Sequence, residues 1–148
     1  MSKRLGKYIL CAILIVLVIM IIMVFPTYRR RERNYYLDRD NYITVTAIVT
    51  SLSYYEETRQ LCIQVSDKSA SFTDTGFILA GDSLECAMQN GIDSKLHVGD
   101  TITFSCAPRY FGDGYFIPIV AITVGEEVLL GFEDGYAYLL QHYGIDIR

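Results

Sequence analysis

Residues 42–52 read "YITVTAIVTSL", and this stretch decides how the rest of the chain is interpreted. Apolar side chains recur at every second position, at Ile43, Val45, Ala47 and Val49, and mostly threonines stand between them. Successive side chains of a β-strand point to opposite faces of the sheet, so this alternation is typical of a strand buried on one face. The stretch therefore predicts a half-buried strand at the start of a β-rich domain.

Three later stretches also predict strands. Alternation recurs in "QLCIQVS" at 60–66, with Leu61, Ile63 and Val65 inward, and in "TITFSCA" at 101–107 after the turn "HVGD". Between them, the short apolar run "GFILAG" at 76–81 predicts a third strand that follows a polar loop. In the stretch at 101–107 the predicted inward residues are Ile102, Phe104 and Cys106.

The period of the apolar residues changes after the third predicted strand. Leu84, Ala87 and Met88 are spaced to share one face of a helix. Asp82 followed by Glu85 has the spacing of a capping box, which predicts that the helix begins near Asp82. Gly91 is well placed to end this helix.

The last strand is predicted from the long apolar run "YFIPIVAITV" at 115–124, which Asp113 and Gly114 precede as a favoured hairpin turn. The run lacks alternation, so both faces of this strand are expected to be covered. Pro118 is then tolerable only at an edge or a bulge. A C-terminal helix can supply the cover, and its apolar stripe, closed by Gly144, consists of Phe132, Tyr136, Leu139, Leu140 and Tyr143.

The N-terminal segment is of a different kind. Tyr8 to Phe25 form eighteen residues without a charge, a glycine or a proline, and as a helix they would cover about 27 Å of the ~30 Å hydrocarbon core of a bilayer. A cleaved signal peptide and a buried helix are the alternatives, but no small residues of a cleavage site follow the run. We therefore expect a retained, single-pass signal anchor. The predicted organisation is a basic tail (1–7), a transmembrane helix (8–25), a basic juxtamembrane linker (26–41), a barrel (42–124) and a C-terminal helix (125–148).

Basic residues on both sides of the anchor give conflicting evidence on orientation. Three lysines and arginines precede the apolar segment and five follow it, which by the positive-inside rule favours a cytoplasmic C-terminal domain by a small margin. Short basic N-termini, however, generally stay inside while the folded domain is exported. On that ground we expect a cell-membrane protein with an extracytoplasmic domain. The residues predicted to lie at the membrane interface are Arg29, Arg30, Arg31 and Arg33.

Charge is divided unevenly along the chain. Residues 1–41 carry eight basic and three acidic residues, whereas residues 42–148 carry five basic and fourteen acidic ones, a balance of −9. Proteins bind phosphate backbones mainly through lysine and arginine. The C-terminal domain is therefore not expected to bind nucleic acid.

The order of the predicted elements is strand, strand, strand, helix, strand, strand. Over residues 42–124 this order resembles an OB-fold, a five-stranded Greek-key barrel with a helix between strands 3 and 4. The segment "HVGDTITF" is similar to the glycine-aspartate turn that often introduces an OB strand. The chain resembles small single-pass bacterial membrane proteins of unknown function with an OB-like domain. The fold class expected is mainly β (α+β), with the transmembrane helix before the barrel and the C-terminal helix added after it.

The resemblance implies a place for binding. OB domains generally hold ligands on the face of strands 2 and 3, flanked by the loops between strands 1 and 2 and between strands 4 and 5, which here are 53–60 and 108–115. Aromatic rings there can stack on sugars or bases, and arginines can pair with a carboxylate or a phosphate; alternatively, the tyrosines simply pack at strand ends. The candidate binding residues are Tyr54, Tyr55, Arg59, Arg109, Tyr110, Phe111 and Tyr115.

The cysteines and histidines do not predict a catalytic site. Cys62, Cys86 and Cys106 are an odd number and lack the CxxC spacing of zinc or redox sites. Cys106 is predicted to be a core residue, and a disulfide between Cys62 and Cys86 remains open if the domain is exported. His97 and His142 are far apart in sequence.

Motifs for an enzyme, a metal or a cofactor do not occur, since the chain contains no phosphate-binding glycine loop, no GxSxG and no HExxH. We therefore expect a non-catalytic binding or scaffolding module, anchored in the lipid bilayer through 8–25 and acting with a protein partner at the membrane. The alternative is a recognition domain for a small ligand, a sugar or a cell-wall fragment, which would use the loops at 53–60 and 108–115.

Overall fold

The computed structural model describes residues 2–66, 76–108 and 116–144 of the chain. The chain divides into two compact units, Met1–Leu37 and Asp38–Arg148. The second unit contains all of the described β-structure.

The first unit is a helix, α1 (Ser2–Leu37). It continues through Pro26, although proline lacks the amide hydrogen that would donate to the preceding turn. The linker predicted at 26–41 is therefore helical as far as Leu37. The described apolar side chains at 12–22 are exposed.

Within the described part of the chain, no helix combines the length and the apolar character that crossing a membrane requires. The assignment of residues 8–25 to a membrane stays a prediction from the sequence.

The second unit opens with a short 3-10 turn (Arg39–Asn41), which Asp38 caps by accepting a hydrogen bond from the Asp40 amide at 3.1 Å. The strands described after it are β1 (Ile43–Tyr55), β2 (Gln60–Ser66), β3 (Phe77–Ala80), β4 (Thr101–Cys106), β5 (Ile117–Val124) and β6 (Glu127–Leu130). The helices are α2 (Gly81–Gln89), α3 (Ile92–Lys95) and α4 (Phe132–His142).

Five strands form a closed mixed barrel in the order β3-β2-β1-β4-β5. All neighbouring pairs are antiparallel except β3 and β5, which close the barrel in parallel with Phe77 opposite Ile117 and Ile78 opposite Pro118. With α2 and α3 between β3 and β4, this is the strand order of an OB-like fold. The predicted OB-like five-stranded barrel is thus confirmed.

The first strand joins the two sides of the barrel. Residues 43–48 pair with β4 and residues 48–55 pair with β2, with a register shift between Val49 and Ser51. The predicted "HVGD" turn supports this shift, because the Gly99 amide donates to the Val49 carbonyl at 2.8 Å and the Val49 amide donates to the Asp100 carbonyl at 2.9 Å. β1 can therefore pair with β4 along its first half and with β2 along its second half.

The core fills the inside of the barrel. Phe77 and Phe104 meet edge to face in it, with ring centroids 4.6 Å apart. Most of the inward residues predicted from the alternation of the strands are buried, which confirms their assignment to the core; they are Ala47, Val49, Leu61, Ile63, Ile102, Phe104 and Cys106. Val45 and Val65 are partly buried against this core. The prediction for Ile43 is wrong, because this residue lies at the start of β1 and 41% of its surface is exposed.

α2 begins within one residue of the predicted start, but the predicted capping box is wrong. The helix begins at Gly81 with Ala80 as its N-cap, and no side chain caps it, so Asp82 lies inside the first turn. Glu85 pairs instead with Arg59 in the turn between β1 and β2. The predicted end is confirmed, because Gly91 follows the helix in a left-handed conformation (φ 85°) that glycine adopts without steric cost.

The sequence analysis missed β6. The segment predicted as the C-terminal helix starts at residue 125, but Glu127 begins a strand that Gly125 introduces at φ 59°, and the helix begins only at Phe132. Leu129 and Leu130 in this strand are buried. β6 pairs with the second half of β5, beyond the two residues that pair with β3.

The C-terminal helix covers β5, as the sequence predicted. Val120 is buried, and Gly135 of α4 lies so close to it that an added Cβ would overlap the Val120 carbonyl. Leu139 and Leu140 are buried as well. Pro118 precedes a shift in the pairing of β5 with β4, which agrees with its predicted place near a bulge.

Candidate functional site

A cleft of about 500 Å³ lies where the β2, β3 and β5 strands meet the C-terminal half of α4. We call it the α4 cleft. Its described lining residues are Thr58, Gln60, Ile78, Ala80, Gly81, Asp82, Ser83, Pro118, Ile119, Tyr138, Leu139, Gln141, His142 and Tyr143. A volume of this size falls within the range of roughly 300–1,000 Å³ that is usual for small-ligand pockets.

The floor of the cleft is the seam that closes the barrel. Ile78 and Pro118 are paired across this seam. Because Phe77 and Leu79 point into the core, Ile78 between them is on the outer face of β3, where it is half-buried. The closure of the barrel therefore places an apolar surface beneath the cleft.

One wall is the C-terminal half of α4. Tyr138 lies three residues before Gln141 and four before His142, so these side chains are neighbours on the helix surface. The rings of His142 and Tyr143 meet at right angles with centroids 5.4 Å apart. This wall presents rings, an amide and an imidazole to the cleft.

Tyr138 is half-buried in this wall. The pKa of its hydroxyl is raised above the ordinary tyrosine value, first by the Cys86 thiol group and then by burial and the Asp134 and Asp82 carboxylates. The hydroxyl group therefore keeps its proton at neutral pH and can donate a hydrogen bond.

The opposite wall comes from the β1–β2 turn and the first turn of α2. In the turn, the Thr58 hydroxyl donates to the Gln60 side-chain carbonyl at 3.1 Å. From α2 come Asp82, which is exposed, and Ser83, which is buried. The wall thus offers hydroxyl, amide and carboxylate groups.

The charge of the cleft restricts its ligands. Asp82 is the one carboxylate among the described lining residues, and no lysine or arginine is among them. An anionic ligand would meet no lysine or arginine on these residues. The lining suits an uncharged ligand, or a cationic one, that carries hydroxyl or amide groups and an apolar face.

A smaller cavity of about 250 Å³ lies on the other side of Gly81. Arg59 and Glu85 form an ion pair beside it. The backbone of Arg59 is left-handed at φ 51°, which is uncommon for a residue other than glycine. The cavity is lined by Tyr54, Arg59, Gly81, Leu84, Glu85, Met88 and Gln89.

The predicted binding residues are separated by the structure. Tyr54 and Arg59 line the smaller cavity, and Tyr55 is exposed at the end of β1 and lines neither cavity. Arg30, Arg31 and Arg33 are exposed on α1. The remaining candidates lie outside the described residues or have no described side chain: Arg29, Arg109, Tyr110, Phe111 and Tyr115.

Sequence reasoning missed the residues that α4 brings to the cleft. Tyr138 and Gln141 stand beside the apolar stripe, where a polar residue usually indicates a solvated surface. Tyr143 was assigned to the stripe itself. The sequence predicted that this helix covers the last strand, but nothing in it indicated that the C-terminal half of the helix would border a cleft with β2 and β3.

The three described cysteines of the barrel unit, Cys62, Cys86 and Cys106, are free thiols. Cys106 is fully buried in the core, as predicted, and burial raises the pKa of its thiol to about 12. Burial also raises the thiol pKa of Cys62 and of Cys86, with the Asp134 carboxylate adding to the effect at Cys86. Because the thiolate is the nucleophile, these environments disfavour cysteine reactivity.

Comparison with known proteins gives no relatives. No protein-family model matches the chain, and no curated protein and no solved structure gives a significant match. The OB-like assignment therefore rests on the strand order alone, and membership of a family of small bacterial membrane proteins stays a prediction.

Proposed function

We propose that this protein is a non-catalytic binding module that is tethered to the cell membrane by α1 and holds its ligand in the α4 cleft. The single observation that carries the proposal is the cleft itself. Polar side chains from the β1–β2 turn, α2 and α4 converge there over an apolar floor. Such a combination of apolar surface and few polar groups is the usual composition of a ligand site.

The chemistry of the lining favours an uncharged, hydroxyl-rich ligand such as a sugar or a cell-wall fragment. Gln60, Gln141 and Asp82 offer amide and carboxylate groups that can accept from and donate to hydroxyl groups. The rings of Tyr138 and Tyr143 offer apolar faces with polar edges. Nucleic acid is disfavoured, because the domain from residue 42 onward has a charge balance of −9.

The tether is proposed from the apolar run at 8–25. It is supported by the exposure of its described side chains, such as Ile21 at 62% and Ile22 at 63%, since a large exposed apolar surface generally marks an interaction with a membrane or a protein. We place the second unit outside the cytoplasm. We expect the full chain to stay in the membrane fraction during alkaline carbonate extraction and Leu14→Arg to release it. Release of the unaltered chain would refute the tether.

A module that binds only a protein partner is the other candidate. Some large apolar side chains of the second unit are more than half exposed, including Val98 and Val128, each at 61%. Single exposed apolar residues are normal on protein surfaces. They offer no specific support comparable to the cleft. A ligand-binding role is therefore the better-supported form of the proposal.

The cleft is tested by calorimetric titration of the full chain in detergent micelles with an array of neutral oligosaccharides. We expect at least one to bind saturably, and Gln141→Ala to weaken it about fivefold, since one hydrogen bond contributes about 1 kcal/mol. The control is Gln64→Ala, which removes the same side chain from an exposed position on β2 outside the cleft.

Two outcomes would contradict the proposal in different ways. Binding that is weakened equally by Gln64→Ala and by Gln141→Ala would move the site away from the cleft. The absence of binding to the whole array, with a folded protein, would remove the oligosaccharide class.

A further inference from the structure

The 3-10 turn at the start of the second unit is held against α4 by an unusual set of contacts. Arg39 donates two parallel hydrogen bonds to Glu133, from Nη1 to Oε1 and from Nη2 to Oε2, both at 2.8 Å. Its guanidinium carbon also lies 4.6 Å from the ring centroid of Tyr136 and 5.8 Å from that of Phe132. Tyr42 completes the set, and we call these five residues the Arg39 clamp.

The three aromatic rings of the clamp pack against one another. Phe132 and Tyr136 are stacked, with centroids 5.7 Å apart and planes inclined by 11°. Tyr42 meets each of them edge to face, with centroids 5.5 Å apart in both cases. The Arg39 guanidinium is attracted to the ring faces and is also paired bidentately with a carboxylate. These two kinds of contact together fix its position and its orientation.

Electrostatics agrees with this geometry. The hydrogen bonds from Arg39 lower the pKa of the Glu133 carboxyl below its ordinary value, and the bonds to Glu133 raise the pKa of Arg39. Both side chains are nevertheless exposed, at 54% for Arg39 and 72% for Glu133. An exposed ion pair alone contributes little to the free energy of unfolding. The main effect of the clamp is therefore to hold the segment at 38–42 in a defined position on α4.

The clamp contacts the first turn of α4, from Phe132 to Tyr136, and the cleft is lined by the residues of α4 from Tyr138 onward. Gly135 presses the α4 backbone onto the Val120 carbonyl, and the clamp residues Phe132 and Glu133 precede that point along the helix. Tyr138 and the other cleft residues of α4 follow it. Because α4 has only eleven residues, the contacts that hold its first turn also stabilise the turns that follow, which carry the cleft residues.

We propose that the Arg39 clamp is a conformational device that sets the position of α4 and, through it, the width of the α4 cleft. With the clamp formed, the segment at 38–42 is fastened to the helix and the cleft wall is fixed. With the clamp broken, the C-terminal half of α4 becomes mobile. By linkage, a ligand that fixes this half of the helix stabilises the clamp to the same extent. The effect on binding rests on the proposed function; the effect on the helix does not.

The test is amide hydrogen exchange of the full chain in detergent micelles. In Arg39→Ala we expect the amides of residues 136–142 to exchange severalfold faster, while those of β4 keep their wild-type rates. Guanidinium ion at millimolar, non-denaturing concentration should restore slow exchange in Arg39→Ala by occupying the vacated position. The matched control is Lys95→Ala, which removes the cation of another exposed pair, the one with Glu127 at 2.6 Å.

Unchanged exchange in α4 would overturn the proposal, and so would equal acceleration in α4 and β4, because that result indicates a general loss of stability. The same variant is then titrated with the oligosaccharide that the wild type binds. Faster α4 exchange with unaltered affinity would refute the coupling while leaving the cleft as a site. If no oligosaccharide binds the wild type, the proposed function fails, and the exchange result still decides whether the clamp positions α4.

Discussion

The first half of α4 is fixed by contacts on two sides, whereas the second half leaves polar side chains facing an open cleft. The turn from Phe132 to Tyr136 carries the Arg39 clamp, and at Gly135 in this turn the helix rests directly on the backbone of β5. After it, Leu139 and Leu140 are buried while Gln141 and His142 remain exposed. The contacts that position α4 therefore lie in its first half, and the surface that it offers to a ligand lies in its second half.

The largest effect is expected where the helix touches the strand. Gly135→Ala places a Cβ against the Val120 carbonyl, a backbone group that cannot move without disturbing β5. We expect a loss of about 3 kcal/mol in the free energy of unfolding, at the upper end of the usual cost of overpacking and despite the better helix propensity of alanine. Thermal and denaturant unfolding followed by circular dichroism would measure it.

Gly131→Ala is the matched control for this prediction. A Cβ at residue 131 would meet the Asp134 carboxylate at 3.5 Å, an ordinary contact, and the backbone there is extended at φ −75°. Because alanine is a poorer N-cap than glycine, a loss below about 1 kcal/mol is expected. Equal losses in the two variants would mean that the contact between Gly135 and Val120 does not fix the helix.

A smaller effect is expected from protonation of the clamp. Because the pKa of Glu133 is lowered in the folded state, the stability that this residue contributes is fully present above its ordinary value of 4.5 and is lost as the pH falls through the lower folded value. Wild type should therefore be more stable than Glu133→Gln at pH 7. The difference should shrink as the pH falls below 4.5, which parallel thermal melts would show.

The control for the pH dependence is the same comparison in the background of Arg39→Ala. Without the guanidinium that lowers the pKa of Glu133, the pH-dependent difference should disappear. If the pH-dependent difference in stability persists in that background, it arises from a group other than the pair of Arg39 and Glu133. That result would contradict the view that the clamp holds the first half of α4.

The barrel was predictable from the sequence because alternation of apolar residues reports directly on which face of a strand is buried. Ile102, Phe104 and Cys106 show this most clearly, since their spacing alone placed them in the core. The strand β6 was missed because its four residues are too few to establish a period and begin with an acidic residue. The capping box failed because Arg59, distant in sequence, competes for Glu85.

The candidate site was less predictable than the fold. The OB-like resemblance implies binding on the face of β2 and β3, and the cleft borders these strands. Five of its fourteen described lining residues, however, come from α4 and its C-cap, and the position of α4 depends on Gly135 meeting Val120. A glycine that permits close approach of two backbones has no signature in a pattern of apolar residues. Tyr138 and Gln141 could therefore be recognised only after the helix was placed.

The parallel pairing of β3 with β5 has a consequence for biosynthesis. During translation, β1, β2 and β3 are synthesised before Ile117, the residue with which Phe77 pairs to close the barrel. Until then β3 has an unpaired edge of the kind that recruits other chains. Folding of such a long-range contact is also slow compared with local pairing. Stalling translation before residue 117 should thus leave a nascent chain that depends on chaperones, and release beyond β5 should end that dependence.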